Sequence, residues 1–173
     1  TRGCLELLLR HDFPIVIQTK SALVLRDLDL IKQFSQKEVG LTITTVDDKA
    51  RKKYEPNASS VGERLDALLT IAENGIRTWA FIGPIMPYIS DQDLGGLIAA
   101  IANTKASYIL IDRLRMKPGL WSSIEEFLSG YDRELIPKYR EVLFRGGNDY
   151  FLEVQRRIMQ LSKQYGLRCE SCF

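Results

Sequence analysis

The amino-acid sequence predicts an α/β protein: a parallel four-stranded sheet of repeated βα units, finished by C-terminal helices. Three observations predict it. Leu41-Thr42-Ile43-Thr44-Thr45 alternates apolar and hydroxyl side chains, the pattern of a strand with two different faces. Ser60-Val61-Gly62-Glu63 is the S-x-x-E pattern of a helix capping box. It is followed by Leu65, Leu68, Leu69 and Ala72 on one face, and by Gly75 as a left-handed stop. Thr78-Trp79-Ala80-Phe81-Ile82 is almost continuously apolar, as in a strand buried on both faces. A strand, a crossover helix and a second strand run parallel.

The remaining elements follow in order. Thr1 is placed to cap an opening helix whose Leu5, Leu8 and Leu9 share a face, and His11-Asp12-Phe13-Pro14 turns the chain. Ile15–Gln18 reads as the first strand and ends in Thr19-Lys20-Ser21. Ser21 caps a helix from Ala22 to Phe34. The second strand covers Val39–Thr45, and a short charged helix from Asp47 to Tyr54 is stopped by Pro56. After the capped helix and the strand from Ile76 to Ile82, Gly83-Pro84-Ile85-Met86-Pro87 reads as a stiff loop. Ser90 and Asp93 open a helix to about Asn103, and Ser107–Ile111 is the fourth strand. Helices from Trp121 to Leu128, Leu135 to Arg145 and Asp149 to Tyr165 close the chain. The last two are separated by Gly146-Gly147 with Asn148 as a cap, and Leu167–Phe173 is a tail. The whole reads as a single domain over residues 1–173, with βα units to about 116 and the helical part from about 117.

A chain of 173 residues supports one proper core and not two. Its net charge of +2, from 24 basic and 22 acidic residues, provides no electrostatic argument for nucleic acid or membrane. No apolar run approaches the ~18 residues of a membrane span. Three cysteines cannot pair completely, which argues against a secreted disulfide framework and for a cytoplasmic protein. The chain starts at Thr1 inside a helical pattern, so a piece of something longer is expected.

Two cations stand out. Arg64 lies in the first turn of the capped helix and Lys20 at the start of another, where the macrodipole disfavours positive charge by ~0.3–1 kcal/mol. A surface pair with Glu63 or a nearby Asp would account for Arg64 blandly. The sharper reading aims it over the carboxyl end of the sheet, where parallel sheets keep their ligands, at an anion. On that reading, removing either cation should leave stability unchanged or slightly improved.

The order of motifs carries a resemblance: Ile17-Gln18-Thr19-Lys20-Ser21, Leu25-Arg26-Asp27, Leu41-Thr42-Ile43-Thr44-Thr45, Tyr54-Glu55-Pro56, Glu63-Arg64-Leu65 and Gly83-Pro84-Ile85-Met86-Pro87. From about Leu5 to Trp121 the chain resembles the radical S-adenosylmethionine (SAM) superfamily, in the branch of spore photoproduct lyase and its uncharacterised relatives. The resemblance implies the later part of a partial (β/α) barrel holding the last four of six strand–helix units. It implies an enzyme that binds SAM across the carboxyl ends of its strands beside a 4Fe-4S cluster. The matching cofactor-binding positions are Lys20 and Ser21 after the first strand, Thr42 and Thr44 on the second, Arg64 on the following helix, and Gly83 and Ile85 in the loop against the adenine. Lys20 and Arg64 would meet the methionyl carboxylate, and the threonines the ribose or carboxylate. The resemblance names no catalytic residue and no substrate.

The family's cluster motif, C-x-x-x-C-x-x-C, is missing, as is the glycine-rich motif for the methionine amine; both would lie upstream of Thr1. The chain by itself is therefore expected to be catalytically inactive. No metal ligand set is assigned. Cys169 and Cys172 form C-x-x-C, half of a tetrahedral site that Cys4 and His11 could complete only if both ends of the chain met. Cys4 reads as core and Arg51-Lys52-Lys53 as a solvated helix face. Met86, Trp79 and Phe81 read as core or pocket wall. A nucleic-acid partner rests on family analogy alone. Self-association is expected through the first strand, which lacks a neighbour on one side. Two readings of other classes stay open: a barrel-type lyase or aldolase forming a Schiff base on Lys20, and a non-catalytic binding or assembly module.

Overall fold

A computed structural model describes residues 1–146 and 148–173. The elements run α1 (Arg2–Leu9), β1 (Ile15–Thr19), a 3-10 helix (Ala22–Asp27), α2 (Leu28–Ile31), β2 (Lys37–Thr42), α3 (Asp48–Tyr54), α4 (Val61–Glu73) and β3 (Arg77–Ile85). They continue with α5 (Leu94–Ala102), β4 (Tyr108–Arg113), α6 (Leu120–Tyr131), α7 (Leu135–Phe144), α8 (Asn148–Gln164) and β5 (Arg168–Ser171). All neighbouring strands pair in parallel, in the order β1-β2-β3-β4-β5. Sequential order with parallel pairing winds the chain in one direction and places every strand's carboxyl end at the same rim.

Five strands replace the expected four. The segment read as a tail supplies β5, in register with β4 from Tyr108↔Arg168 to Ile111↔Ser171. Gly166, at φ 67°, turns the chain out of α8 in a conformation that a side chain resists. Four residues without alternation carry no local strand signal, and only the waiting edge of β4 makes them one. The stretch Gly83–Ile85 is not a loop. β3 runs to Ile85, slipping register between Ile82 and Ile85 where Pro84 has no N–H to donate, and pairing again at Ile85↔Arg113. The helix expected from Ala22 to Phe34 breaks at Asp27, whose buried carboxylate accepts from Arg2 Nη1 at 3.3 Å and from Arg26 Nη2 at 3.1 Å. Of the expected Gly146-Gly147 break before the last helix, residue 147 lies outside the described residues. Asn148, expected as a cap, is the first residue of α8.

Period-2 alternation sorts the strands into two faces. One face carries Ile15, Val39, Leu41, Ile43, Ala80, Ile82, Ile109 and Ile111, which pack with the helices into a continuous core. The other carries Val16, Gln18, Gly40, Trp79, Phe81, Tyr108 and Leu110, none of which belongs to that core. There Trp79 stacks on Tyr108 at 6.1 Å and lies across Gly40, where any Cβ would strike its ring. Among the described residues no helix is long and apolar enough to cross a membrane.

Candidate functional site

The capping box forms as expected. Ser60 Oγ accepts from the Glu63 N–H at 3.2 Å, and Glu63 Oε2 accepts from the Ser60 N–H at 2.7 Å. It starts α4 at Val61, and the face of α4 that turns inward is Val61, Arg64, Ala67, Leu68 and Ile71. This stripe has the expected period, but its phase differs: Leu65, Leu69 and Ala72 flank it. A helix one face of which must be buried therefore carries Arg64 into the interior, with no surface left in contact with water.

Arg64 is not a surface cation, and the anion it meets is the chain's own. Its Nη1 donates to Glu55 Oε2 at 2.8 Å and to the Thr42 carbonyl at 2.7 Å. Glu55, at the C-cap of α3, is buried as well, and its other oxygen, Oε1, lies 2.7 Å from Lys20 Nζ. The result is an ion chain Arg64–Glu55–Lys20 running from the interior to the rim, where the Lys20 side chain is 44% exposed. Arg64 Nε is buried without a partner. Glu55 is anchored through its backbone too: its N–H donates to the Arg51 carbonyl at 2.7 Å, and its carbonyl accepts from Arg51 Nη1 at 3.1 Å. Arg51 is therefore buried rather than part of a solvated face, because its fork also grips Asp48 and the Ala58 carbonyl.

Lys20, Thr44, Tyr54, Glu55, Pro84 and Met86 line a cavity of about 120 Å³ at the carboxyl ends of β1, β2 and β3. The Thr44 and Tyr54 hydroxyls are 3.1 Å apart, and burial pushes the Tyr54 phenol up to about 12. Tyr54 and Met86 are shared with a second recess of about 280 Å³, walled by Lys53, Ser123, Ile124 and Phe127. Met86 is thus pocket wall, whereas Trp79 is buried, as expected of core, on the sheet face opposite the main helix-packed core, against Gly40, Phe81 and Tyr108, with Phe81 half-buried beside it.

The other expected positions are distributed around this cavity. Ser21 Oγ accepts from the Leu23 N–H at 3.2 Å and caps the 3-10 helix. Thr42 is buried and contributes its carbonyl to Arg64. Gly83 is buried in β3, with Phe81 lying where its Cβ would be, 2.5 Å from Cζ. Ile85 is fully buried in the core, and Pro84 between them reaches the cavity. The structure therefore brings Lys20, Thr44 and, through Glu55, Arg64 together, and leaves Ser21, Thr42, Gly83 and Ile85 out of the cavity's lining. Glu55 is the residue that reading charges one at a time missed. A buried arginine at the start of α4 demands a buried carboxylate, and the Tyr54-Glu55-Pro56 motif supplies it.

For an iron–sulfur cluster the described residues offer no ligand set. Cys4 is exposed on α1, contrary to a core position, and α1 packs beside α2 near the β1 edge. Cys169 and Cys172 belong to the opposite edge at β5, and among the described residues no group of three or more His, Cys, Asp or Glu is placed to hold a metal ion. Burial pushes the free Cys169 thiol up to about 11. For an anionic group of a small molecule the rim does fit. The Lys20 ammonium has three donors, one of which faces Glu55, and Thr44 stands beside it.

Comparison with known proteins agrees with this architecture. The chain superposes on spore photoproduct lyase with bound AdoMet and dinucleoside spore photoproduct with a TM-score of 0.73, at 16% identity, over 99% of this chain and 54% of that one. A second structure of that enzyme, complexed with dinucleoside spore photoproduct, has a TM-score of 0.69 at the same identity and coverage. In sequence, an uncharacterised protein of Methanocaldococcus jannaschii is 53% identical over 77 residues, 44% of this chain and 30% of that protein. An uncharacterised protein of Mycobacterium bovis is 25% identical over 149 residues, 83% of this chain and 44% of that protein. The chain thus spans less than half the length of these curated relatives. The family model of the radical SAM superfamily matches residues 2–101, more than half of the chain, and the chain belongs to that superfamily.

Proposed function

We propose that this chain is part of a radical SAM catalytic domain and contributes the surface that binds S-adenosylmethionine at the carboxyl ends of β1–β3. Lys20 Nζ takes the methionyl carboxylate, Thr44 donates a hydrogen bond beside it, and Thr42 holds the guanidinium beneath. Pro84, carried by the Gly83–Ile85 end of β3, backs the adenine. Arg64 acts on the ligand through Glu55 rather than directly. The observation that supports this reading is the half-exposed Lys20 ammonium beside Thr44, on a cavity at the strand ends of a chain in this superfamily.

The superfamily's 4Fe-4S cluster supplies an electron to SAM. The residues described here do not fit that cluster, so their part is to bind and orient. The chain alone is expected to perform no radical chemistry, and the whole protein's substrate is not assigned. Three free cysteines agree with a cytoplasmic, reducing setting.

The test is calorimetric titration of SAM into the chain and into Lys20→Met. A charge-assisted bond to a carboxylate contributes ~1.5–3 kcal/mol, so the variant is expected to bind roughly tenfold to a hundredfold more weakly. Equal affinity of the two proteins places the carboxylate elsewhere.

A further inference from the structure

We infer that Glu55 is the positioning residue of this site: it holds the Lys20 ammonium in its binding geometry, while Arg64 cancels its charge from behind. The inference rests on the assignment of Lys20 to the ligand's carboxylate and adds a residue and a role to it.

The two oxygens of Glu55 are divided. Oε2 receives Arg64 Nη1 at 2.8 Å and Oε1 faces Lys20 Nζ at 2.7 Å. A carboxylate facing Lys20 alone would neutralise it and repel an incoming anion. With Arg64 behind it, the three groups sum to one positive charge, and the one that is largely exposed is Lys20, while Glu55 shows only a buried edge to the cavity. The ion chain therefore delivers the charge of a buried arginine to the rim, at a cavity of about 120 Å³ suited to one anionic group.

Glu55 itself cannot drift. Its backbone is fixed at both ends by Arg51. The loop that follows is fastened to Lys20's own segment, since the Ser59 N–H donates to the Lys20 carbonyl at 3.1 Å and Ser59 Oγ accepts from the Ala22 N–H at 3.0 Å. A lysine free in water must lose side-chain freedom when it binds a ligand, and holding it beforehand removes that cost. Losing the hold is expected to weaken the ligand roughly five- to tenfold, the cost of ordering one long side chain.

The experiment is a double-mutant cycle on SAM affinity, read by calorimetry at a temperature where circular dichroism shows each variant folded. Glu55→Asp keeps a charge near Arg64 but is one methylene too short for Lys20. It is expected to bind SAM roughly five- to tenfold more weakly, and to have no further effect in a Lys20→Met background. Should Glu55→Asp fail to fold, the neutral pair Arg64→Met with Glu55→Gln leaves no uncompensated charge and is expected to show the same loss. If Lys20→Met weakens binding but Glu55→Asp leaves it unchanged, or weakens it equally in both backgrounds, Glu55 is structural and the inference fails alone. If Lys20→Met binds as the unmodified chain does, or the unmodified chain binds no SAM, the assignment of the site fails and this role with it.

Discussion

Arg64 holds a positive charge where none of its surface meets water, and a single carboxylate faces it. Such a pair adds little to stability relative to an apolar pair of the same volume, but removing one partner leaves the other buried and uncompensated. Arg64→Met is accordingly expected to cost up to ~3–5 kcal/mol, because the buried Glu55 carboxyl would be left with the half-exposed Lys20 as its one charged partner. This reverses the expectation that removing a cation from a helix start should be neutral or favourable. The dipole term of ~0.3–1 kcal/mol is real but small beside a buried carboxylate that has lost its buried counter-charge. Thermal melts of the chain, Arg64→Met and Arg64→Met/Glu55→Gln decide it. The double variant should recover most of the loss, and a single variant melting with the unmodified chain would show that Glu55 has another counter-charge. The residue also shows how a charge misleads a reader of periodicity. Counting only apolar residues places the buried stripe on Leu65, Leu68, Leu69 and Ala72, whereas the helix turns Val61, Arg64, Ala67, Leu68 and Ile71 inward.

At the scale of elements, α3 depends on its ties rather than on its own propensity, since seven residues are too few to hold a helix in water. Asp47 caps it by accepting from the Lys49 and Ala50 N–H groups. Asp48 accepts from Arg51 Nε at 2.9 Å and Nη2 at 3.1 Å, and from the Val61 N–H at 3.0 Å, joining α3 to the first turn of α4. Because Arg51, and then the Val61 N–H, favour its charged form, the Asp48 carboxyl drops from 3.8 to about 2. A folded value below the unfolded one means that its contribution is complete above pH ~4 and is lost as the pH falls towards 2. The melting temperature is expected to fall over that window more steeply for the unmodified chain than for Asp48→Asn. Parallel curves would place the acid sensitivity elsewhere. Since α3 ends in Glu55, loosening it should also release Lys20, so ligand affinity is expected to decline over the same window.

For the whole molecule, the open edge of the sheet at β1 is the feature with consequences. Val16 is 69% and Leu23 70% exposed, and Leu5, Ile17, Leu23 and Val24 help to line a cavity of about 360 Å³ at this end of the molecule. α1 buries Leu5 and packs beside α2 but leaves Val16 bare. A parallel edge strand with its backbone groups unpaired and apolar side chains in water is a template for a second copy. The chain is expected to self-associate with rising concentration, and Val16→Lys to reduce that association. Light scattering that finds a monodisperse monomer at high concentration would refute it.

What the amino-acid sequence determined by itself is local. The capping box at Ser60 and Glu63, the left-handed Gly75 and the β1, β3 and β4 runs depend on groups within one turn or one strand of each other, so they are legible in order along the chain. The resemblance of ordered motifs was legible in the same way, as was the oddity of Lys20 and Arg64. Tertiary structure alone decided which groups meet across the sequence. β5 exists because β4 offers an edge 60 residues away at the Tyr108↔Arg168 pair. Arg64 finds Glu55 across a loop, Glu55 finds Lys20 from another strand's end, and Cys4 and Cys169 lie at opposite edges. Such pairings are chosen by packing, because burying one face of α4 carries whatever residue lies in that stripe, charged or not, into the core, and the partner it then requires is set by geometry rather than by neighbourhood in the chain.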